Sequence, residues 1–583
     1  MDGHRRVYRI GEFLLDVAGY ELRWKDRSVR LERRPMELLI WLVERRGELI
    51  TRDEIVNRLW GRDVFIDVDT SVNTVVRKIR RALRDSAGDS QFIQTVPGKG
   101  YKFIAAVEQP VAGAVLCVLP FRNLRASSED DYIADGLTEE TIASLGRLDP
   151  ERLRVIGRTS SMIYRATTKS IAEIGRELGA DYLLEGSIRG SDGQHRVTAT
   201  LIRVRDQVQV WTDTYDRKSK NLLGLQAELG RDIARQIQLR LSPERTTTIA
   251  RRQTQNPDAY DAYLRGRYYW NQMTPATVSR ALECYERATT LDPDYALVWA
   301  GIADAISSRP FNSDARPGDV AGQARRAAYR ALRTSDVVPE ACTSAAFVQF
   351  VFDWDWPAAE GNCRRAVALD PSYGQGYWML AHTLSQQGRH QDALALTPRS
   401  RELDPFNAMT HAMSSQLAFQ ARDFEGGVSH AREALGVEPD FWIAHLQLAQ
   451  SLLQLGRSAQ ALEALEEATR LSRGNTKPIS TRGYALATLG RRGDALEILA
   501  ALERRAEERY VSPYAFALIH AGLDDRASAY HWLDQAFAER DVHLIYLPVD
   551  PKWDGFRGDP LFAQLLDRLA SAAATDAITG TST

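Results

Sequence analysis

The sequence predicts a multidomain chain: a small α+β domain, then a compact α/β domain, then an all-α solenoid of helical repeats. At 583 residues the chain is too long for a single hydrophobic core. Strand-like and helix-like apolar patterns alternate in the first 240 residues, whereas only helical patterns follow. In that helical part, small residues recur every 34 residues, as do the acidic residue–proline pairs at 370–371, 404–405 and 438–439, which indicates a stack of repeated helix pairs.

Charge and composition agree with this division. Residues 1–105 hold 21 Lys+Arg against 16 Asp+Glu, so the first domain is basic and the rest acidic. A basic head on an acidic body is typical of a nucleic-acid contact confined to the head. The predicted parts are a DNA-binding domain at 1–106, a linker at 107–113, an α/β domain at 114–243, a linker at 244–257, repeats at 258–572 and a flexible tail at 573–583.

The stretch 67–103 contains the strongest local signal of the first domain. One face of a predicted helix is apolar, at Val72, Val76, Ile79 and Leu83. The opposite face is polar and basic, at Thr70, Thr74, Arg77, Lys78 and Arg81. Asp67 or Asp69 can cap the start of this helix. Two short strands, Gln91–Val96 and Tyr101–Ile104, then flank the turn 97–100, which predicts a hairpin with Lys99 at its tip.

Strands and two helices are predicted upstream of the basic helix. Alternation predicts strands over Tyr8–Asp16 and Tyr20–Leu31, with turns at 18–19 and 25–26. A helix from Pro35 to Arg46 has Met36, Leu39, Ile40 and Val43 on its apolar side, and a capping box at Thr51 opens a helix over Arg52–Trp60. This order, a small sheet, three helices and a terminal hairpin, predicts a winged helix-turn-helix.

The first 105 residues resemble the winged-helix effector domain of the OmpR/PhoB class of bacterial transcription regulators. The matching stretches are Leu31-x-x-x-Pro35-x-Glu37-Leu38-Leu39, Gly47–Arg52, Leu59-Trp60-Gly61 and Thr95-Val-Pro-Gly-Lys-Gly-Tyr-Lys-Phe103. Many members carry arginine where Pro97 stands, which makes Lys99 the better candidate for the wing contact. The resemblance implies a sequence-specific DNA-binding regulator.

Face geometry and this resemblance together predict which residues meet DNA. Base edges are expected at Thr70, Ser71, Thr74 and Lys78, because the major groove admits a helix and displays a pattern for each base pair. Phosphates are expected at Arg77, Arg80 and Arg81, with Lys99 reaching the flanking backbone. The long loop 61–67 exposes a small apolar patch; it is either a staple onto the second helix or, as the resemblance implies, an RNA polymerase contact through Arg62, Asp63, Val64 and Phe65.

The second domain alternates strands and helices. Strands are predicted at Ala114–Phe121, Arg152–Ile156, Tyr182–Ile188 and across the hairpin His195–Tyr215; helices are predicted at Tyr132–Leu148, Lys169–Leu178 and Asn221–Leu241. It resembles the TolB-amino-terminal-like domain in Val118–Phe121, Ala134–Glu140, Arg158–Ser161 and Gly175–Ser187. Ser160 and Ser161 are either anion ligands or turn hydroxyls.

The third part resembles tetratricopeptide repeats. Small residues keep the 34-residue spacing at Ala359, Ala393, Gly427, Ala461 and Ala495. About eight repeats are expected through Leu569, with about ten extra residues at Ser307–Asp319. Such a stack offers a concave surface for a protein or peptide partner, or for another copy of the chain.

No catalytic or metal-binding motif occurs in the sequence. HExxH, G-x-S-x-G and the phosphate-loop pattern are absent, and the four cysteines show neither disulfide nor metal spacing. We therefore expect no enzyme activity, no catalytic residues, no metal and no cofactor. Without a signal peptide or a membrane span, a cytoplasmic chain with no membrane partner is expected. So few residues precede the first strand that no phosphoacceptor receiver domain is expected there.

The predicted function is a one-component transcription regulator with a helical sensor or interaction body. Its partners are double-stranded DNA, RNA polymerase and a protein or peptide on the repeats. The alternatives are a repeat scaffold whose winged helix makes protein contacts, and a ligand-binding or hydrolytic α/β domain with accessory modules. The basic face of the helix favours the first, because a scaffold would have no need of those cations.

Overall fold

A computed structural model gives the fold of two compact units, residues 1–114 and 115–583. We call them the head and the body, and each is described by itself. The structure describes residues 7–17, 20–24, 27–60, 68–86, 90–105, 107, 114–124, 131–150, 152–190, 194–218, 225–237, 254–272, 274–312 and 315–579.

The head contains two small sheets and three helices. A four-stranded antiparallel sheet runs in chain order through β1 (Val7–Ile10), β2 (Phe13–Asp16), β3 (Glu21–Trp24) and β4 (Arg27–Val29). The helices are α1 (Arg33–Glu44), α2 (Arg52–Leu59) and α3 (Val68–Leu83). A three-stranded antiparallel sheet in the order β5-β7-β6 joins β5 (Leu49–Thr51), β6 (Ile93–Val96) and β7 (Gly100–Phe103).

These elements confirm the predicted winged helix, with two corrections. The stretch predicted as one strand over Tyr8–Asp16 is a hairpin, because Gly11 takes a positive φ of 58° and turns the chain. The short strand β5 was not predicted; it pairs with β7 and extends the wing hairpin into a sheet. Thr51 caps α2 through a capping box with Glu54, as the spacing predicts.

The α/β domain contains six strands: β8 (Ala114–Val118), β9 (Arg122–Asn123), β10 (Leu153–Val155), β11 (Tyr182–Arg189), β12 (Gln194–Arg203) and β13 (Val208–Lys218). They form a sheet in the order β10-β8-β11-β12-β13, with β9 beside β11. Strand β11 runs parallel to β8 and antiparallel to β12, which forms a long hairpin with β13. The helices of the domain are α4 (Asp131–Gly146), α5 (Arg158–Met162), α6 (Ile171–Leu178) and α7 (Leu225–Gln236).

Eight helix pairs follow within the described part of residues 254–579. Repeats 1 to 4 are α8 (Pro257–Trp270) with α9 (Pro275–Leu291), α10 (Ala296–Ser307) with α12 (Pro317–Thr334), α13 (Pro339–Val348) with α14 (Trp356–Leu369), and α15 (Gly374–Gln386) with α16 (His390–Leu403). Repeats 5 to 8 are α17 (Ala408–Gln420) with α18 (Phe424–Val437), α19 (Trp442–Gln454) with α20 (Ser458–Leu471), α21 (Thr476–Thr488) with α22 (Arg492–Ala506), and α23 (Pro513–Gly522) with α24 (Arg526–Ala538). The extra residues of repeat 2 contain the short helix α11 (Arg309–Asn312).

The 34-residue spacing has a packing reason. Ala359, Ala393, Gly427, Ala461 and Ala495 are all buried on the second helices of repeats 3 to 7. A side chain built on Gly427 would approach the Ser451 hydroxyl to 2.4 Å, so the helices are too close there for a larger residue. Small residues at this position let neighbouring helices pack tightly.

Two 3-10 turns, Val542–Tyr546 and Pro551–Phe556, follow repeat 8, and helix α25 (Pro560–Thr579) ends the described chain. We call residues 541–557 the closing segment. The predicted flexible tail begins at residue 573, and helix α25 extends six residues past that border, to Thr579. Its Ala-rich sequence has high intrinsic helix propensity, which polarity patterns alone underestimate.

The α/β domain packs directly on the repeats. Asp404, the acidic residue of one Asp-Pro pair, accepts hydrogen bonds from the backbone N–H and the hydroxyl of Ser160. The backbone N–H of Phe406 donates to the same hydroxyl over 2.7 Å. Ser160 thus joins the α/β domain to the repeats, and the Ser161 hydroxyl donates to the Val118 carbonyl, so both hydroxyls make contacts within the body.

Candidate DNA-binding interface

The basic helix α3 is fixed in the head by its apolar face. Val72, Val76, Ile79 and Leu83 are buried as predicted, and Val75 joins them. Thr70, Arg77, Lys78 and Arg81 are exposed on the other side, while Ser71 and Thr74 are partly buried. The helix therefore turns a continuous polar and basic surface outward, which we call the α3 face.

Arg80 holds the wing against α3. Its guanidinium donates to the Ile93 carbonyl over 2.7 Å and to the Thr95 hydroxyl over 2.8 Å. On the next turn, the Asp85 carboxylate accepts from the backbone N–H groups of Gln91 and Ile93 over 2.8 and 2.9 Å. The side chain predicted to contact phosphate at Arg80 is thus engaged inside the head, where it sets the distance between helix and wing.

The wing tip depends on a close backbone approach. A Cβ atom built on Gly100 would lie 2.0 Å from the Ile50 carbonyl oxygen, so only glycine allows β7 to pair with β5 here. Gly98 takes φ +70°, which completes the turn that presents Lys99. Lys99 is exposed, and its backbone N–H donates to the Val96 carbonyl over 3.0 Å.

One side of the α3 face carries a network that the sequence analysis missed. The Asn73 side-chain oxygen accepts from the Tyr101 hydroxyl over 2.5 Å and from Arg52 over 3.2 Å. The Arg52 guanidinium also lies 5.4 Å from the centroid of the Tyr101 ring. These contacts orient the exposed Asn73 amide, and amides of this kind can pair with adenine in the major groove. The helical position of Asn73, next to Arg77 and Arg80, was the available signal.

Lys78 lies on the opposite side of the α3 face and makes an ion pair. Its Nζ is 2.7 Å from both carboxylate oxygens of Glu32, the residue before α1. Both side chains are well exposed, at 44% and 70%. An ion pair in this setting is weak and readily exchanged, so it leaves Lys78 able to meet another partner.

Arg77, Arg81 and Lys99 differ from the other cations of this surface. None of the three has an ion pair or a side-chain hydrogen bond with any residue that the structure describes in the head. Arg84, in contrast, lies 3.5 Å from the centroid of the Trp24 ring. A shallow groove between α3 and the wing is lined by Arg52, Asn73, Val76, Arg77, Arg80, Arg81, Asp85, Thr95 and Tyr101.

The remaining predicted site residues are placed as follows. The Thr74 hydroxyl donates to the Thr70 carbonyl over 2.7 Å, so its oxygen remains an acceptor toward the groove side. The predicted RNA polymerase contact, Arg62, Asp63, Val64 and Phe65, lies outside the described residues, as do Asp67 and the side chain of Asp69.

No group of three or more His, Cys, Asp or Glu side chains is arranged to hold a metal ion in the part of the chain that the structure describes. Among the helices whose residues are described, none combines the length and the apolar character needed to cross a bilayer.

Three family models match separate parts of the chain. "Transcriptional regulatory protein, C terminal" matches residues 26–103, "HilA/YgeH-like transcriptional regulator, second domain" matches 112–231, and "Tetratricopeptide repeat" matches 413–476. The predicted winged helix and repeats are confirmed. The TolB-amino-terminal-like resemblance is not confirmed, since the model that matches this region is the HilA/YgeH-like one.

Individual relatives agree for the most part. The chain is 22% identical over 479 residues to transcriptional regulator HilA of Salmonella typhimurium, an alignment that covers 81% of this chain and 82% of that protein. It is 31% identical over 102 residues to transcriptional activator CadC of Escherichia coli, covering 17% and 20%. It is also 31% identical over 188 residues to putative adenylate cyclase 3 of Rhizobium meliloti.

The cyclase alignment covers 32% of this chain and spans about a third, 32%, of that protein. The matches to regulators favour a chain without enzyme activity, and the match to a protein named as a cyclase does not decide the point. The family models, the HilA alignment and the winged helix agree on the rest. The chain thus combines an OmpR/PhoB-type winged-helix domain, a HilA-like second domain and a tetratricopeptide-repeat body, and it is similar to transcription regulators over most of its length.

Proposed function

We propose that the chain is a one-component transcription regulator that binds specific double-stranded DNA in the cytoplasm through α3 and the wing. The observation that carries the proposal is the set of exposed cations without internal partners, Arg77, Arg81 and Lys99, on a helix and a wing that are rigidly joined. Cations left in water at fixed spacing can neutralise phosphates at little structural cost.

In this proposal α3 enters the major groove. Thr70, Ser71, Thr74 and Lys78 meet base edges, and Asn73 is added to them because its amide is exposed and oriented. Arg77 and Arg81 contact phosphates on the groove walls, while Lys99 contacts the flanking backbone. Arg80 is given a positioning role, because both of its contacts lie within the head.

The loop 61–67 is proposed as the contact with RNA polymerase, on the strength of the family resemblance and its composition. Alanine at Arg62, Asp63 or Phe65 is then expected to leave DNA affinity unchanged and to lower transcription from a bound promoter. Template occupancy and transcript yield, measured in one purified system, separate the two effects. Normal transcript yield at equal occupancy would exclude this role.

The body is proposed to bind a protein or peptide partner, or a second copy of the chain, and no catalysis is assigned to it. Stacked helix pairs commonly present such a surface. Here the closing segment packs on repeats 5 to 8: Arg422, in the turn between the helices of repeat 5, donates to the Val549 carbonyl over 3.1 Å, and Trp553 donates to the Tyr514 hydroxyl over 2.8 Å. A partner on that face would have to displace the closing segment.

Selection from a random DNA pool with the full-length protein tests the proposal. We expect enrichment of one motif, protection of that motif in a footprint, and binding that weakens steeply with salt. The variant Arg504→Ala is the matched control, because it removes an exposed cation from repeat 7 and leaves the α3 face intact. A pool that shows no enriched motif would contradict sequence-specific binding.

A further inference from the structure

The body encloses a polar cavity between its repeats and the closing segment. First helices of repeats 5 to 8 form one wall, and Val542–Lys552 forms the other. The two walls are joined by direct contacts: the Tyr484 hydroxyl donates to the Lys552 carbonyl over 3.3 Å, and the Lys552 ammonium donates to the Gln450 side chain. The volume of this cavity is about 30 Å³.

Both lysines of the repeats and closing segment lie in the wall of this cavity. After residue 220 the sequence contains only Lys477 and Lys552, and all other cations of these residues are arginines. Lys552 Nζ is 2.7 Å from the Asp550 carboxylate, in a pair that is almost fully buried. Lysine presents a compact charge, whereas a planar guanidinium needs more room, so the choice suits a small enclosed space.

Lys477 has no carboxylate partner among the residues that the structure describes in the body. Its Nζ lies 5.1 Å from the centroid of the Tyr546 ring, at the cavity wall. The Lys477 side chain is partly buried, and an ammonium group drawn away from water without a counter-charge is costly, so such groups are normally paired or bound to a ligand.

A second polar group faces the same space without a partner. His543 lines the cavity, is only 5% exposed, and its Nε2 has no hydrogen-bond partner among the described residues. Its Nδ1 lies 2.9 Å from the Asp541 carboxylate, which also accepts from the backbone N–H of Tyr514 over 3.1 Å. Because the hydrogen bond to His543 holds the pKa of Asp541 low despite burial, Asp541 is an anion that accepts from Nδ1–H, and the imidazolium form of the ring also donates Nε2–H toward the cavity.

Three glutamine side chains in the cavity wall hold one another in a fixed orientation. The Gln450 amide N–H donates to the Gln447 oxygen over 3.0 Å, and the Gln447 amide N–H donates to the Gln416 oxygen over 3.2 Å. Since Lys552 donates to the Gln450 oxygen, all three amides point the same way. A buried polar network ordered in this manner is preorganised and does not depend on the cavity's content for its own hydrogen bonds.

We propose that this cavity binds a compact oxyanion, a small carboxylate or a phosphate, which accepts from the Lys477 ammonium and from the Nε2–H of the His543 imidazolium. The anion supplies the negative charge that Lys477 lacks, and the cavity volume admits only a few heavy atoms. Closing the segment over the repeats would then depend on a small anionic molecule, which gives the body a chemical input independent of its protein partner and of DNA binding.

The affinity for the anion should depend on pH. Burial lowers the pKa of Lys477 to about 8; Lys552 adds to the lowering, and Asp550 opposes it. Of the other groups near Lys477, burial keeps the pKa of His382 at about 4, so it is neutral, and burial raises the pKa of Tyr546 to about 12, so it is also neutral. Binding is therefore strong below pH 8 and weakens above it, as the ammonium loses its proton.

Calorimetric titration of the full-length protein tests the inference, with sodium acetate, sodium phosphate and sodium chloride as separate probes. We expect saturable one-to-one binding of acetate or of phosphate, and none of chloride beyond the ionic-strength effect. Acetate binding identifies a carboxylate site, and phosphate binding identifies a site for a tetrahedral anion; both support the proposal. Failure of both probes at 10 mM overturns it.

The variant Lys477→Met should weaken binding at least tenfold, whereas Arg504→Met, which removes an exposed cation from the same repeat, should leave it unchanged. If Lys477→Met does not fold, the wild-type protein still decides the question through its pH profile. A dissociation constant that rises about tenfold per pH unit above 8 supports the role of Lys477. A constant that stays flat from pH 6.5 to 9.5, or binding that survives in Lys477→Met, overturns it.

Discussion

Two lysine–carboxylate pairs of equal length, 2.7 Å, stand in opposite surroundings. Lys78 and Glu32 in the head are 44% and 70% exposed, whereas Lys552 and Asp550 in the body are 6% and 8% exposed. Water screens the first pair, whose net contribution to stability is about 0–1 kcal/mol. The second is withdrawn from water, so loss of either partner leaves a buried charge. The difference shows that burial, not geometry, decides whether a cation serves the fold or remains available to a ligand.

The unpartnered cations follow the same division. Arg77 and Arg81 lie in water on the α3 face, where the solvent stabilises their charge until DNA replaces it. Lys477 is partly buried at the wall of a cavity of about 30 Å³, which has room for far less water than the open surface of the head. The head therefore suits an extended polyanion that approaches from outside, and the body suits a small anion that becomes enclosed.

The largest effect is expected from Lys552→Met. Removal of this ammonium leaves Asp550 buried without its counter-charge and removes the donor to Gln450, so the body should lose about 3–5 kcal/mol of stability. Urea denaturation of the full-length protein, followed by circular dichroism of the helical body, measures the loss. Asp550→Asn, which keeps an oxygen for the backbone N–H of Lys552, should cost less.

Arg504→Met is the control for that measurement, because its side chain is exposed on repeat 7. Its denaturation midpoint should match the wild type within about 0.5 kcal/mol. If Lys552→Met and Arg504→Met had the same stability, the buried ion pair would contribute no more to stability than an exposed cation does. The contrast between the exposed pair of the head and the buried pair of the body would then fail.

The next effect is expected from Arg77→Ala combined with Arg81→Ala. Both cations are assigned to phosphates, so affinity should fall by a similar factor for every DNA sequence. The slope of log affinity against log salt should decrease by about 2. Fluorescence anisotropy with the selected site and with a scrambled site, at several salt concentrations, measures both quantities. Arg84→Ala is a suitable control, because Arg84 lies on the Trp24 ring.

Two results would contradict this assignment. One is an unchanged salt slope in the double variant. The other is a loss confined to the selected site, which would show that these arginines read bases and that the exposed cations of the head are more specialised than the comparison with the body implies.

The sequence predicted the parts of this molecule that arise from local patterns. The apolar stripe of α3 and the wing turn at Gly98 and Gly100 follow from helical spacing and from backbone geometry within a few residues. The repeats follow from small residues that must fit between helices. The sequence could not place Glu32 beside Lys78, since 46 residues separate them and both are ordinary surface residues.

The position of the closing segment was even harder to predict from the sequence. Its 3-10 turns carry no helical or strand periodicity, and its position depends on contacts such as that of Lys552 with Gln450, 102 residues earlier. Asp404 was visible only as the acidic residue of a repeat, although its carboxylate binds Ser160 of the α/β domain. Contacts at such distances along the chain follow from the tertiary fold, which a single sequence does not reveal by pattern.

A smaller effect is expected from Lys78→Ala. If Lys78 reads a base, its removal should relax sequence preference at one base pair and cost about 1–3 kcal/mol there, with little change elsewhere in the site. Affinities for all single-base variants of the selected motif measure this directly. A variant that keeps the wild-type preference at every position would remove Lys78 from the base-reading set.

The smallest effect, and the most informative one about the exposed pair, is expected from Glu32→Gln. Glu32 makes no side-chain hydrogen bond to the start of α1, so the change removes the partner of Lys78 without removing a helix cap. Stability should fall by less than about 1 kcal/mol, as for other exposed pairs. DNA affinity should rise, by up to about fivefold, because Lys78 no longer has to leave a carboxylate and because one negative charge disappears beside the groove.

The same DNA titrations with Glu32→Gln combined with Lys78→Ala separate these two causes. Without Lys78, only the effect of the lost negative charge remains. A Glu32→Gln protein that binds DNA as the wild type does would mean that the ion pair is not exchanged on binding, and Lys78 would then belong with the cations that serve the fold.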